Sequence, residues 1–185
     1  MEAFSDTPVL IETRAWVERV VIGLKLCPFA PAPALKRTIR YATSDATTPE
    51  ALLEDLAAEL QRIVAAPPEE VETTLLVHPQ VLQDFEEYND FLEVADGLLR
   101  VLDLEGEVQI ASFHPQYRFA GTESDDLGNA TNRSPYPMLH LLREDSIARA
   151  VDAFGDTSTI SASNITTLER LGAEGLEAVR RGGPR

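Results

Sequence analysis

Apolar and polar positions follow two different periods along this chain, and the switches between them outline its elements. Residues 8–26, PVLIETRAWVERVVIGLKL, place Ile11, Ala15, Val17, Val20, Val21 and Leu24 at helical spacing. Thr7 or Asp6 is positioned to cap that helix, and Pro8 suits its first turn. Pro28, Pro31 and Pro33 in the CPFAPAP stretch should stop it, because proline removes a donor and clashes with the preceding turn. RTIRYATS, 37–44, alternates and reads as a strand. TPEALLEDLAAELQRIVAA, 48–66, carries a threonine cap, an early proline and a leucine stripe, so it reads as a helix ended by Pro67-Pro68. ETTLLVH, 72–78, is a second strand, 80–106 a long helix, and EVQIASFH, 107–114, a third strand. Residues 115–136 hold turn formers and no sustained period, which predicts a long loop. PMLHLLREDSIARAVDAF, 137–154, reads as a helix, and a last helical segment covers roughly 160–181 with a break near Gly172.

Strands separated by helices of this length predict parallel pairing with right-handed crossovers. The expected fold is α/β: a small three-stranded parallel sheet covered by helices, with a long loop and C-terminal helices. A chain of 185 residues suits one domain, here 1–181, with 182–185 as a flexible tail.

That topology gives the histidines meaning. There are three, and His78 and His114 each end a strand in His-Pro-Gln. Ligands bind outside the carboxyl edge of an open parallel sheet, where both would sit, with Thr43-Ser44-Asp45 closing the first strand at the same edge. The plain alternative is that proline merely terminates two strands. His140 is expected three to four residues into the helix starting near Pro137, where the dipole favours a neutral ring able to accept a proton or bind a metal. Arg143 and Glu144 would share its face. All three histidines are therefore candidate acid/base groups, and with Cys27 they are candidate metal ligands for a divalent ion. The four are scattered and lack zinc-finger spacing. A buried thiol is the simpler reading of Cys27.

The segment NATNRSPYP, 129–137, leads into the expected helix. Asn132, Arg133 and Ser134 ahead of free backbone N–H groups make a candidate anion site, and N-capping by Ser134 or Asn132 is the competing reading. Tyr117 and Arg118 are placed to face the same cleft. GTESDD, 121–126, is acidic but lacks the spacing of a calcium loop. No Walker loop, GxGxxG, HExxH or GxSxG is present, so the nucleotide, zincin and hydrolase-elbow readings lack their motifs.

Composition changes the list of partners more than the fold. Sixteen Lys and Arg against 31 Asp and Glu leave a net charge of −15, a field that repels nucleic acid and anionic membranes. One cysteine excludes an intramolecular disulfide and suits a reducing compartment. The acidic N-terminus lacks signal-peptide character, and no apolar run approaches the ~18 residues of a membrane helix. A cytoplasmic location is expected.

The pieces WVERVVIGLKLCPFA (16–30), TTLLVHP (73–79), DFEEYNDFLEVAD (84–96), QIASFHPQYRFAGT (109–122), NATNRSPYPMLHLLRE (129–144) and NITTLERLG (164–172) together resemble the bacterial family catalogued as domain of unknown function 1415. The resemblance covers nearly the whole chain. It implies a bacterial cytoplasmic protein of this length and brings no reaction with it. Its signature segments fall on Cys27-Pro28-Phe29, His78, His114, Asn132-Arg133-Ser134, His140 and Arg143-Glu144. Residues 158–163, STISAS, are more serine-rich than the family's usual entry to the last helix. Two functions are compatible with all of this. One is an enzyme, of hydrolase or transferase type, with a small anionic substrate at the carboxyl edge. The other is a non-catalytic binding or adaptor protein.

Overall fold

The computed structural model describes residues 7–183, so Asp6 as a cap and the terminal residues of the expected tail lie outside the described residues. Four strands form one sheet: β1 (Ile39–Thr43), β2 (Thr73–Val77), β3 (Val108–Phe113) and β4 (Met138–Arg143), in the order β1-β2-β4-β3. β1 and β2 are parallel, and β4 runs antiparallel to both β2 and β3. β1, β2 and β3 therefore point the same way, as expected, and β4 is inserted against them.

β4 corrects the sequence reading of a helix over 137–154. MLHLLR is a short apolar run whose periodicity suits a buried strand as well as a helix. Paired on both sides, it sends Leu139 and Leu141 to one face and Met138 and His140 to the other, and these leucines are fully buried. Helical structure starts only afterwards, at α5 (Glu144–Phe154).

Two helices cover one face. α3 (Pro49–Ala65) is capped by Thr48 and buries Leu52, Leu56, Leu60 and Ile63 completely. Each such side chain is worth about 2 kcal/mol of transfer free energy. α4 (Phe85–Val101) buries Tyr88, Phe91, Ala95 and Leu99. It starts later than the expected residue 80, because the Asp84 side chain accepts from the backbone N–H groups of Glu86 and Glu87 and sets the helix start there. Residues 79–84 form a turn instead, with Leu82 at φ 55°.

The opposite face is covered by α1 (Pro8–Trp16), which continues as a π-helical segment (Val17–Ile22), and by the kinked α6 (Ile160–Arg180). Thr7 caps α1 as expected, and the kink of α6 falls at Gly172, φ 71°. The prolines of CPFAPAP behave in two ways. They follow the end of the first helix, and Pro31 then opens a short α2 (Pro31–Lys36), since first-turn N–H groups have no helical partner to lose.

Arg143 closes the lower edge of the sheet. Its guanidinium donates to the carbonyls of Ile63 and Ala66 at the end of α3 and to Val71 in the turn that follows, the last two at 2.6 and 3.0 Å. The Ile63 and Ala66 carbonyls would otherwise be unmatched at the end of a helix. Arg143→Leu is expected to destabilise the fold by about 2–4 kcal/mol, from several carbonyls left without a donor. Urea denaturation would measure it, and a change under about 0.5 kcal/mol would contradict the role.

Candidate functional site at the carboxyl edge of the sheet

The carboxyl edge is built around Tyr88 of α4. Its hydroxyl donates to the Met138 carbonyl at 2.8 Å and accepts from the Phe113 N–H at 3.1 Å. One phenol therefore ties the last residue of β3 to the first of β4. Burial raises its pKa well above that of a free phenol, so it stays protonated.

His78 and His114 pack against that ring. The ring centroids of His78 and Tyr88 are 5.8 Å apart and nearly parallel, and those of His114 and Tyr88 are 5.0 Å apart. β4 separates β2 from β3, so the two strands lie ~10 Å apart rather than side by side. Tyr88 fills the space between the rings. Both histidines are fully buried.

Their hydrogen bonds fix their protons. His78 Nδ1 lies 3.1 Å from the Val81 carbonyl, which can only accept, so Nδ1 carries the hydrogen. His114 Nε2 likewise donates to the Leu82 carbonyl at 3.1 Å, and its Nδ1 accepts from the Gln116 N–H at 3.0 Å. The two carbonyls so gripped lie either side of the left-handed φ of Leu82, a conformation that costs a branched residue energy. The repeated His-Pro-Gln thus has one structural answer: both histidines hold the same strained turn.

His114 has both nitrogens matched. His78 does not, since its Nε2 is buried without a partner. Burial lowers the pKa of His78 to about 4, with the Val81 carbonyl opposing and His114 adding to the shift. His114 is lowered too, chiefly by burial. At neutral pH both rings are uncharged. Beside them, Ser44 at the end of β1 donates to Asp55 at 2.5 Å and accepts from the Ala46 N–H. Sequence reasoning placed Ser44 at this edge but gave no sign of Asp55, which lies within the helical stripe of α3.

His140 is not part of this group. It sits inside β4, opposite Leu75 and Ala111, and faces the α1/α6 side of the sheet. Its neutrality comes from burial, which lowers its pKa to about 4, and not from a helix terminus. Nε2 donates to the Thr73 hydroxyl at 2.7 Å, which passes its own hydrogen to the Leu141 carbonyl. Arg143 and Glu144 are at the opposite edge, and Glu144 lines a separate hollow with Asp96 and Arg100. Cys27 is half-buried among the apolar residues under α1 and α6. Among the described residues no group of three or more His, Cys, Asp or Glu is arranged to hold a metal ion, so the expected set of three histidines and Cys27 is not assembled.

The candidate anion site is also rearranged. No long helix follows Asn132-Arg133-Ser134, since β4 does. Asn132 donates to the Ser112 carbonyl, and Ser134 donates to that of Tyr136. Tyr117 packs on Phe85 and Phe119, and Arg118 pairs with Glu86 at the surface. Arg133 donates to the Tyr117 and Ser124 carbonyls, tying down the 115–136 loop. What the sequence reading missed is Arg180. This half-buried residue of α6 reaches the Arg133 carbonyl at 3.4 Å and has a buried Nε without a partner. Burial lowers its pKa, Glu177 opposes this, and the charge of Arg133 lowers it further. No ion pair involves Arg133 or Arg180 among the described residues.

The fold and this edge define a four-stranded mixed α/β domain with a tightly packed histidine–tyrosine cluster and an adjoining pair of arginines. The family profile described as "Protein of unknown function (DUF1415)" matches residues 9–178, and the chain belongs to that family. No curated protein and no solved structure matches it. Among the described residues no helix is long and apolar enough to cross a membrane.

The folded pKa of His78 lies below its unfolded value of about 6.5. Between pH 6.5 and 4 the unfolded chain therefore takes up a proton that the folded chain refuses. The stability held above pH 6.5 should fall by about 3 kcal/mol as pH drops to 4 on account of this one group. Urea titrations at several pH values should show a shallower slope in His78→Gln than in the parent. Equal slopes would mean that His78 is not held neutral.

Proposed function

We propose that this protein is a small-molecule binding domain that takes an anionic ligand at Arg133 and Arg180, beside the carboxyl edge of the sheet. The carrying observation is Arg180: a half-buried guanidinium that donates to the Arg133 carbonyl, close enough to feel the Arg133 charge, with a buried unpartnered Nε, in a chain with nearly twice as many acidic as basic residues. Two like charges brought together in partly desolvated surroundings repel, and a bound anion would reverse that cost. A carboxylate or phosphate group suits the fork of donors on a guanidinium. The net charge of −15 argues against polyanionic partners such as nucleic acid and favours a compact ligand reached through a local positive patch.

A second reading, hydrolysis or group transfer, is supported by His78, whose neutral ring keeps an unpartnered acceptor at Nε2. Binding is the better-supported reading, because His78 and His114 are sealed from solvent and already engaged in holding the turn.

Thermal unfolding at fixed ionic strength in phosphate, sulfate and citrate tests the proposal. A specific anion at about 100 times its Kd should add about 2.7 kcal/mol, a shift of several degrees for a chain of this size. Arg180→Met should abolish the shift. The reading fails if no anion shifts the parent, or if the variant responds equally.

A further inference from the structure

A second feature lies at the opposite edge of the sheet and owes nothing to the arginine pair. A hollow of about 460 Å³ opens between α2, the start of α5 and the turn that leads into β2. That volume falls within the range of small-ligand sites. Its polar lining is of both signs: Lys36 and Arg149 on one side of the charge balance, Glu69 and Glu72 on the other, with the hydroxyls of Thr38 and Ser146 between them in kind.

Long charged side chains on one small surface usually find each other. Here none of these four makes an ion pair among the described residues. Parts of the rim are fixed. Arg149 donates to the Ser146 hydroxyl at 3.0 Å, which directs its guanidinium along α5. The Glu72 N–H donates to the Thr38 carbonyl at 2.9 Å, and Thr38 itself is buried with its hydroxyl on the Pro33 carbonyl. The turn that carries Glu69 is closed by Glu70 and Val71 donating to Pro67. In another hollow, at the foot of β3, the one cation, Arg100, is already within 3.7 Å of Glu105.

We infer that this hollow binds a short zwitterion of the amino-acid or dipeptide kind, its carboxylate toward Lys36 and Arg149 and its ammonium toward Glu69 and Glu72. Such a ligand supplies both missing counter-charges at once. A ligand with one charge would satisfy one pole and leave the other facing it unmatched. The Thr38 and Ser146 oxygens add acceptors for the ammonium or the peptide N–H.

The test uses glycine and diglycine as probes on the full chain, followed by chemical-shift titration and calorimetry. Each probe is paired with its singly charged relatives, the N-acetyl and C-terminal amide derivatives. Saturable binding of glycine or diglycine is expected, with each blocked relative weaker by about fivefold or more. Arg149→Met should weaken the unblocked probe and its N-acetyl form and leave the C-terminal amide as it was. Glu72→Gln should do the same from the ammonium side. Both positions are on the rim, and unchanged amide spectra elsewhere will show that the variants fold. Arg180→Met should bind the probes as the parent does, which separates this site from the anion site above. The inference is overturned if neither probe binds saturably, if blocked and unblocked forms bind alike, or if both rim variants bind as the parent does.

Discussion

The hydroxyl of Tyr88 is the contact on which the upper half of this protein depends. β4 enters the sheet antiparallel, so the chain must return from the end of β3 to the start of β4 at the same edge, and two backbone groups there face the interior. Tyr88 matches both, donating to Met138 and accepting from Phe113. Removing it would leave a buried donor and a buried acceptor unmatched, at about 1–3 kcal/mol each. With the phenol in place, its ring becomes the surface against which His78 and His114 stack. Those two rings in turn hold the Val81 and Leu82 carbonyls and keep Leu82 in its left-handed conformation. Energy spent on that turn is recovered through two hydrogen bonds that burial makes costly to lose.

This arrangement changes what the histidines can do. Two strand-ending histidines beside a proline look like a catalytic pair when the sheet is imagined as parallel and adjacent. The inserted strand moves them two strand spacings apart, and the helix tyrosine between them makes them packing partners. Neutral, buried and bound to carbonyls, they suit the architecture of a latch. The proposed ligand sites rest on other groups: Arg180 beside Arg133 at this edge, and Lys36 with Arg149 at the other. In so acidic a chain, cations not paired with a carboxylate stand out.

Much of the fold was legible in the residues. The leucine stripe of α3, the Thr7 and Thr48 caps, three strands pointing one way and the break at Gly172 all follow from local chemistry. The fourth strand was not, because MLHLLR is apolar at every position but His140 and Arg143, and so short an apolar run carries no decisive period. The consequences spread from there. Without β4, His140 was placed at a helix start, Arg143 and Glu144 were placed beside it, and Asn132-Arg133-Ser134 became a helix-terminal anion site. That His78 and His114 end at one edge was visible, since it needs only that both strands run the same way; that β4 and the Tyr88 ring lie between them was not. The Arg133–Arg180 contact was not, because it joins residues 47 positions apart through a helix packing that no local pattern encodes.

The central claim is that His78 and His114 are fixed neutral tautomers gripping one turn. Nitrogen-15 NMR of the imidazoles tests it most directly. The expected result is a neutral His78 protonated on Nδ1 that does not titrate between pH 7 and 5.5, and a His114 protonated on Nε2 that titrates below the ordinary imidazole range. A His78 protonated on Nε2, or either ring titrating near the ordinary value of about 6.5, would contradict it.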